Sequence, residues 1–221
     1  ALLALAELRR KPTVAWSIVF GAAIGLGFLS KYAMLYFVLG AALALLPTVE
    51  GRALLFSRWG AIAAAAAGVV FAPNVVWNAM HSFATVGHTA SNANWGAGKL
   101  FNIGKLGEFI AAQAGIVGPI AAGIVVWGIA RGWRHRDWAG ADTLLMSLSL
   151  PVLAIVAAQA FISRANANWA APAFVALTIL IAAWGVRRGI GKILVANLGV
   201  NAAVALLLGA LAVSPAFVAA I

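Results

Sequence analysis

Long uncharged apolar runs, repeated along almost the whole chain, are the feature that most constrains how this sequence can fold. Seven such runs are separated by charged or polar residues. They cover residues 12–30, 32–49, 59–76, 109–130, 143–163, 169–186 and 193–213. A helix of about 20 apolar residues crosses a bilayer core of roughly 30 Å. The sequence therefore predicts an all-α, polytopic transmembrane helix bundle with about seven spans.

Composition excludes several other classes of protein. The chain is 64% hydrophobic and only 9% charged, and its net charge is +10. A positive charge of this size suggests nucleic acid, but the basic residues form small groups and no continuous basic stripe, so we expect no nucleic-acid partner. There is no cysteine, which excludes disulfides and thiolate metal sites.

The basic groups between the apolar runs alternate in size along the chain. The first, third, fifth and seventh connections hold eleven of the fifteen basic residues, and the others hold four. The richer set is Arg9, Arg10, Lys11, Arg52, Arg58, Arg131, Arg134, Arg136, Arg187, Arg188 and Lys192. The poorer set is Lys31, Lys99, Lys105 and Arg164. Because Lys and Arg are enriched in cytoplasmic loops, the richer set is predicted to face the cytoplasm and the poorer set the outside.

The domain organisation predicted from these patterns is simple. No repeat and no separate soluble region is visible, so residues 1–221 are expected to form a single transmembrane domain. The chain starts with an apolar segment that has neither an initiator Met nor the features of a signal peptide. We therefore expect it to be a segment of a longer protein.

Three polar segments collect at the predicted outer face: "LSKYAM" around Lys31, "WNAMHSFATVGHTASNANW" from Trp77, and "SRANANW" from Ser163. Lys31 either extends to the lipid headgroups or turns inward to meet an anion. The same choice holds for Arg164, whose guanidinium suits phosphate or carboxylate, with Asn166 and Asn168 nearby as further hydrogen-bonding groups. A site for an anionic headgroup is the sharper hypothesis.

Several alternatives stay open at this face. Trp77, Trp95 and Trp169 also fit an interfacial aromatic belt. His81 and His88 are seven residues apart, but the glycine and threonines between them favour a loop, and residues 77–107 are predicted to form one long connection. Both histidines are candidate ligands for a divalent metal ion, although no Asp or Glu lies between residues 51 and 107.

Other polar and kinking residues within or beside the spans are expected to have structural roles. Glu108 is predicted to open a span, where a carboxylate favours the helix dipole. Interhelical hydrogen bonds are expected of four amides, namely Gln113, Gln159, Asn197 and Asn201. Kinks are expected at Pro73, Pro119 and Pro151.

Four motifs in one order resemble a known family. They are "GLGFLSKYAMLYFVLG", "APNVVWNAMHSFATVGHTASNANW", "EFIAAQAGIVGPI" and "SRANANWAAPAF". Together they resemble the bacterial polytopic transferases related to dolichyl-phosphate-mannose protein mannosyltransferases. That group includes the lipid A aminoarabinose transferase and the rhizobial galacturonosyltransferases of the lipopolysaccharide core.

The resemblance implies a GT-C type fold of glycosyltransferase family 39 with its active site facing the periplasm, in the bacterial inner membrane. It also implies a substrate site at defined positions of this sequence. These are Lys31 with Tyr32, Trp77, Asn78, His81, His88, Thr89, Arg164, Asn166, Asn168 and Trp169. Many members have Glu where this chain has Asn166, and Pro where it has Ala170, so a catalytic role for that glutamate does not carry over.

The expected activity is transfer of a sugar from a polyprenyl-phosphate donor to lipid A, lipopolysaccharide or a protein. Breaking the anomeric bond leaves charge on the phosphate, which cations stabilise. The family's catalytic carboxylate is expected upstream of Ala1, in a first periplasmic loop that would follow the missing N-terminal spans, with His81 or His88 assisting. The alternative is a non-enzymatic transporter or flippase subunit for an anionic lipid, whose binding groups would lie near mid-membrane.

Overall fold

The computed structural model describes residues 1–93, 100–135 and 140–213. Every regular element in these ranges is a helix, which confirms the all-α prediction. The elements are α1 (Leu2–Arg10), α2 (Val14–Ser30), α3 (Met34–Leu45), α4 (Val49–Leu55), α5 (Arg58–Met80), α6 (Ala84–Ala93), α7 (Ile103–Val117), α8 (Pro119–His135), α9 (Gly140–Ile162), a 3₁₀ turn (Ala167–Ala170), α10 (Ala171–Arg187) and α11 (Gly191–Ala212).

The number of spans is close to the prediction without matching it. Four helical segments are long and apolar enough to cross a membrane: α5, α9, the 3₁₀ turn with α10, and α11. The bent pair α7 and α8 adds a fifth if it counts as one span. Helices α2 and α3 are apolar but have only 17 and 12 residues. The chain is a multi-pass membrane protein, and the count of seven is only approximate.

The helices form two compact units. The first contains residues 1–109 and 139–177, and within it α2 packs along α5 while α3 packs along α9. The contact between α2 and α5 is so close that a Cβ atom on Gly21 would overlap the backbone carbonyl of Ala63. Small residues at this contact therefore let two apolar helices approach, as expected for packing in lipid.

The core of the first unit lies around the C-terminal half of α9. Val156 and Ala160 are completely buried there, together with Ala173 from the start of α10. Phe109 joins this cluster, and Trp169 packs against it from the 3₁₀ turn. Backbone bonds from Phe101 and Asn102 to the last residues of α9 fix the start of α7 nearby. Residues 163–166, the polar segment after α9, therefore follow directly on a well-packed part of the helix.

The second unit contains residues 110–138 and 178–221, and its described part is organised around a broken helix. The predicted span 109–130 is not continuous, because α7 and α8 meet at Gly118 with a bend of 102°. Gly118 has φ +89°, a conformation that residues with a Cβ rarely adopt. Pro119 follows it as the first residue of α8, where its missing N–H is tolerated.

Two asparagines of α11 satisfy backbone groups beside this break. Asn201 Nδ2 donates to the carbonyl of Val117 at 3.1 Å, and Asn197 Oδ1 accepts from the N–H of Ala121 at 3.0 Å. Backbone groups freed at a helix break need another hydrogen-bonding partner in lipid, and these amides supply it at the bend. The predicted interhelical hydrogen bonds of Asn197 and Asn201 are confirmed.

Two local predictions for the segment between the third and fourth apolar runs are wrong. The connection 77–107 is not one loop, since α5 continues to Met80 and α6 occupies Ala84–Ala93, with residues 94–99 outside the described part. His88 thus lies on a helix. Glu108 does not open a span: α7 begins at Ile103, and Glu108 pairs with Lys105 one turn earlier at 2.7 Å. The glycines and threonines misled the first prediction, and the late start of the apolar run misled the second.

Candidate functional site

A cavity of about 820 Å³ lies within the first unit, where α2 ends and α3 begins. Its other walls are the C-terminal part of α5, the helix α6, the last turns of α9 and the side chain of Trp169. Most of its lining surface is apolar, and polar side chains from several helices also contribute to it. This combination is typical of a ligand site.

Lys31 is the cation of this cavity. The residue ends α2 in an extended conformation, and its N–H donates to the carbonyl of Gly27 at 2.8 Å. Its side chain is exposed and makes no hydrogen bond or ion pair with any described residue. All the residues that line the cavity in the described part of the chain are non-acidic. The site is therefore electrostatically suited to an anion.

A network of four polar side chains lies beside Lys31. The Tyr32 hydroxyl is 2.9 Å from Asn74 Oδ1 and 3.1 Å from Thr85 Oγ1. Asn78 is only 3% exposed, and its Oδ1 accepts from both the N–H and the hydroxyl of Thr85. Asn78 Nδ2 donates to the backbone and side-chain oxygens of Asn74 at 2.9 and 3.1 Å. The network ties α6 to α5 and to the residue after Lys31.

Aromatic rings form an apolar wall next to this network. Phe28 and Phe71 lie with their ring centroids 5.3 Å apart, and Tyr32 meets Phe71 edge-on at 6.2 Å. All three residues line the cavity. A ligand with an anionic head and a hydrocarbon tail would find both surfaces in one cavity.

Helix α6 supplies a further part of the wall with His88, Thr89 and Asn92, although none of its residues is buried. It is held at its start by Thr85 and at its end by Gln159 of α9, whose Nε2 donates to the carbonyl of Ala93 at 2.9 Å. This confirms the predicted interhelical bond of Gln159. The wall thus depends on polar contacts rather than on apolar packing.

The structure brings together about half of the side chains predicted from the sequence. Those lining the cavity are Lys31, Tyr32, Asn78, His88, Thr89 and Trp169. Those outside its lining are Trp77, His81, Arg164, Asn166 and Asn168. The first group comes from four separate stretches of sequence, so their assembly in one cavity is not a consequence of proximity along the chain.

The residues outside the lining have their own arrangements. Trp77 and His81 stack with centroids 4.2 Å apart, and His81 Nδ1 is 2.7 Å from the Trp77 carbonyl oxygen. Arg164 and Asn166 are exposed between α9 and the 3₁₀ turn, and Asn168 is exposed within that turn. The backbone carbonyl of Arg164 accepts from Gln159 Nε2 at 3.0 Å.

Six polar residues that line the cavity were not among the predicted site residues: Ser30, Tyr36, Asn74, Thr85, Asn92 and Gln159. One signal could have revealed Asn74, because it is four residues before Asn78 and hence on the same helix face. Thr85 and Asn92 were assigned to a loop, and their common wall exists only because α6 is helical. Gln159 had been interpreted as structural.

No group of three or more His, Cys, Asp or Glu side chains placed to hold a metal ion is found in residues 1–93, 100–135 and 140–213. Only His88 of the two candidate histidines lines the cavity.

Comparisons with known proteins agree with the resemblance seen in the motifs. Residues 1–77 match the family described as dolichyl-phosphate-mannose-protein mannosyltransferase. The chain is 41% identical over 184 residues to the lipid A galacturonosyltransferase RgtD of Rhizobium johnstonii. This alignment covers 83% of the chain but only 38% of that relative. No solved structure matches the chain significantly.

Proposed function

The chain is similar to bacterial polytopic glycosyltransferases of the protein-mannosyltransferase-like group, and from this premise we propose that it carries the donor site of a membrane glycosyltransferase. The donor is a sugar linked to a polyprenyl phosphate. The cavity beside Lys31 holds the phosphate, and the acceptor is a lipid or lipopolysaccharide. The reaction takes place at the periplasmic face of the bacterial inner membrane.

The observation that carries this proposal is the pairing of one cation with an aromatic wall in a cavity without acidic lining. Lys31 suits a phosphate, while Phe28 and Phe71 suit the first isoprene units of a lipid carrier. A soluble sugar nucleotide would have no need of the apolar wall. An amphiphilic phosphate uses both surfaces at once.

The chemistry explains why a lysine is needed at this place. The bond between the anomeric carbon and the phosphate oxygen breaks, so negative charge grows on the departing phosphate while the sugar becomes oxocarbenium-like. An ammonium group already positioned there interacts more strongly as the charge develops. The acceptor hydroxyl oxygen forms the new bond and gives its proton to a general base. In this proposal, that base is a carboxylate upstream of Ala1.

The relative also suggests a sugar and an acceptor. RgtD is named as a lipid A galacturonosyltransferase, an enzyme that transfers galacturonic acid to lipid A. We propose the same pair for this chain, because a uronic acid adds a carboxylate to the donor, and the described lining contains Lys31 and no acidic residue to repel it. A cationic amino sugar would find no electrostatic attraction in a lining whose charged residue is a lysine.

Orientation in the membrane follows from the alternation of basic groups. Lys31 belongs to the poorer set of Lys and Arg residues, which is expected outside the cytoplasm. That orientation opens the cavity to the periplasm. Arg164, Asn166 and Asn168 would face the same side, where they are available to the acceptor rather than to the phosphate.

The direct test is Lys31→Ala in the protein expressed from its complete reading frame and reconstituted in liposomes. Transfer of labelled galacturonic acid from polyprenyl phosphate to lipid A is measured. We expect kcat/KM to fall about 10²- to 10³-fold, by analogy with the loss of one preorganised donor to a developing oxyanion. Lys31→Arg should recover part of this loss because it keeps the charge.

Lys105→Ala is the matched control. Lys105 is an exposed lysine outside the cavity whose side chain pairs with Glu108 at the surface of the described structure, and a surface pair of this kind contributes little to stability. Its loss should leave transfer unchanged. Equal transfer rates for Lys31→Ala and Lys105→Ala would contradict the role of Lys31 in binding the phosphate. Absence of transfer by the wild-type protein would contradict the proposed activity itself.

A further inference from the structure

Asn78 has a single possible orientation, set by groups that cannot exchange their roles. The backbone N–H of Thr85 can only donate, and it lies 3.2 Å from Asn78 Oδ1. The backbone carbonyl of Asn74 can only accept, and it lies 2.9 Å from Asn78 Nδ2. The oxygen of the Asn78 amide therefore faces Thr85 and its nitrogen faces Asn74.

The orientation of Asn74 follows from that of Asn78. The Asn78 Nδ2 group is a donor, so the atom of Asn74 that meets it at 3.1 Å must be the acceptor Oδ1. The Tyr32 hydroxyl donates to the same oxygen at 2.9 Å. A reversed Asn74 amide would place two N–H₂ groups against each other. The backbone N–H of Thr85 thus fixes the Asn78 amide, which in turn fixes the amide of Asn74 in the cavity.

This arrangement leaves the Nδ2 group of Asn74 for another partner. No hydrogen bond of Asn74 Nδ2 is present in residues 1–93, 100–135 and 140–213. The residue is half-buried and lines the same cavity as Lys31. This N–H₂ group keeps contact with solvent, so an oxygen of a ligand that enters the cavity can replace water as its acceptor.

We infer that Asn74 is a substrate-contacting residue, whose Nδ2 donates to an oxygen of the lipid-linked donor, and that Asn78 and Thr85 are positioning residues that orient it. The inference rests on the proposed function. It assigns Asn78 a different task from the one predicted from the sequence, because both ends of its amide are already engaged within the protein. The ligand oxygen belongs either to the phosphate or to the sugar.

The test is Asn74→Asp, which keeps the accepting oxygen and the shape of the side chain but replaces the N–H₂ group. In the reconstituted full-length protein, we expect the KM for the polyprenyl-phosphate sugar to rise about 10- to 100-fold, as when a hydrogen bond to a charged oxygen is lost. Asn74→Ala removes the donor without adding charge and should raise KM in the same direction. A sugar-free polyprenyl phosphate is used as an inhibitor in parallel.

The inhibitor identifies the oxygen. If the inhibition constant of the sugar-free polyprenyl phosphate rises together with KM, the contact is with the phosphate. If only KM rises, the contact is with the sugar. Asn102→Asp is the control for charge, since Asn102 is outside the cavity lining and its Oδ1 caps the N–H of Lys105, a role that Asp also fills. Its KM should be unchanged.

Two results would overturn the inference. One is an unchanged KM in both Asn74 variants while Lys31→Ala remains impaired, which would leave the proposed function intact. The other is a higher KM in Asn74→Asp only, with Asn74→Ala like the wild type, which would show repulsion by the new charge rather than loss of a donor. Size-exclusion profiles and thermal midpoints in detergent check that each variant is folded.

Discussion

The asparagines beside the broken helix of the second unit bind backbone groups of other helices, whereas those in the cavity of the first unit bind one another and two hydroxyl groups as well as backbone. Asn197 and Asn201 each meet a backbone group at the break near Gly118. Asn74 and Asn78 instead form a side-chain network with Tyr32 and Thr85. In a chain that is 64% hydrophobic, amides at such sites cost free energy unless they are satisfied.

The difference shows how a polar side chain in a membrane protein can be interpreted. An amide that satisfies backbone at a helix break contributes to stability, and its removal should affect folding. An amide that fixes the orientation of its neighbour contributes to binding, and its removal should affect KM. The two regions therefore predict two distinct patterns when stability and activity are both measured.

The largest effect on stability is expected at Gly118. Gly118→Ala forces a Cβ into a conformation with φ +89° and against the side chain of Asn201. We expect a loss of about 2–3 kcal/mol, seen as a lower thermal midpoint in detergent. Gly123→Ala is the control, since a Cβ on Gly123 meets no described atom within 4 Å and alanine favours the helix. Equal midpoints for the two variants would contradict the role of Gly118.

A smaller effect is expected for Asn201→Leu, which removes the donor to the Val117 carbonyl. Interhelical hydrogen bonds in membranes contribute on average about 0.6 kcal/mol and rarely more than 1.7 kcal/mol, so the thermal midpoint should fall modestly. The KM for the lipid-linked donor, measured per folded molecule, should not change. A raised KM at constant stability would mean that the two kinds of asparagine are not distinct.

The sequence predicted the helices far better than it predicted their ends. Apolar runs identify spans because burial in lipid requires about 20 such residues, and each of the seven runs corresponds to a helix or to a pair of helices. The break at Gly118 lies inside one run, where hydrophobicity carries no signal, although Pro119 indicated a kink. Helix α6 was missed because glycine and threonine have poor helix propensity.

Only part of the candidate site could be predicted, because residues at the ends of apolar runs are conspicuous in the sequence and residues inside the runs are not. Lys31 and Trp169 stand out as polar or aromatic residues at the ends of apolar runs. Asn74 and Gln159 lie inside such runs, and only the packing of α5, α6 and α9 around one cavity shows what they contact. The exposed position of Arg164, by contrast, could not be inferred from its neighbours in the sequence.

The smallest effect, and the sharpest test of the comparison, is expected for Thr85→Val. Valine has nearly the same shape as threonine but cannot hydrogen-bond to Asn78 or Tyr32, while the backbone N–H of residue 85 still reaches Asn78 Oδ1. The Asn78 amide should therefore keep its orientation but lose rigidity, and the KM for the donor should rise about threefold, which corresponds to about 0.6 kcal/mol. Thr85→Ser should restore the wild-type KM because it restores the hydroxyl.

Since α6 has no buried residue, the thermal midpoint should barely change in either variant. If Thr85→Val instead lowered the midpoint as much as Asn201→Leu and left KM unaltered, the network would be a stabilising contact like the one beside Gly118, and the distinction between the two regions would be wrong.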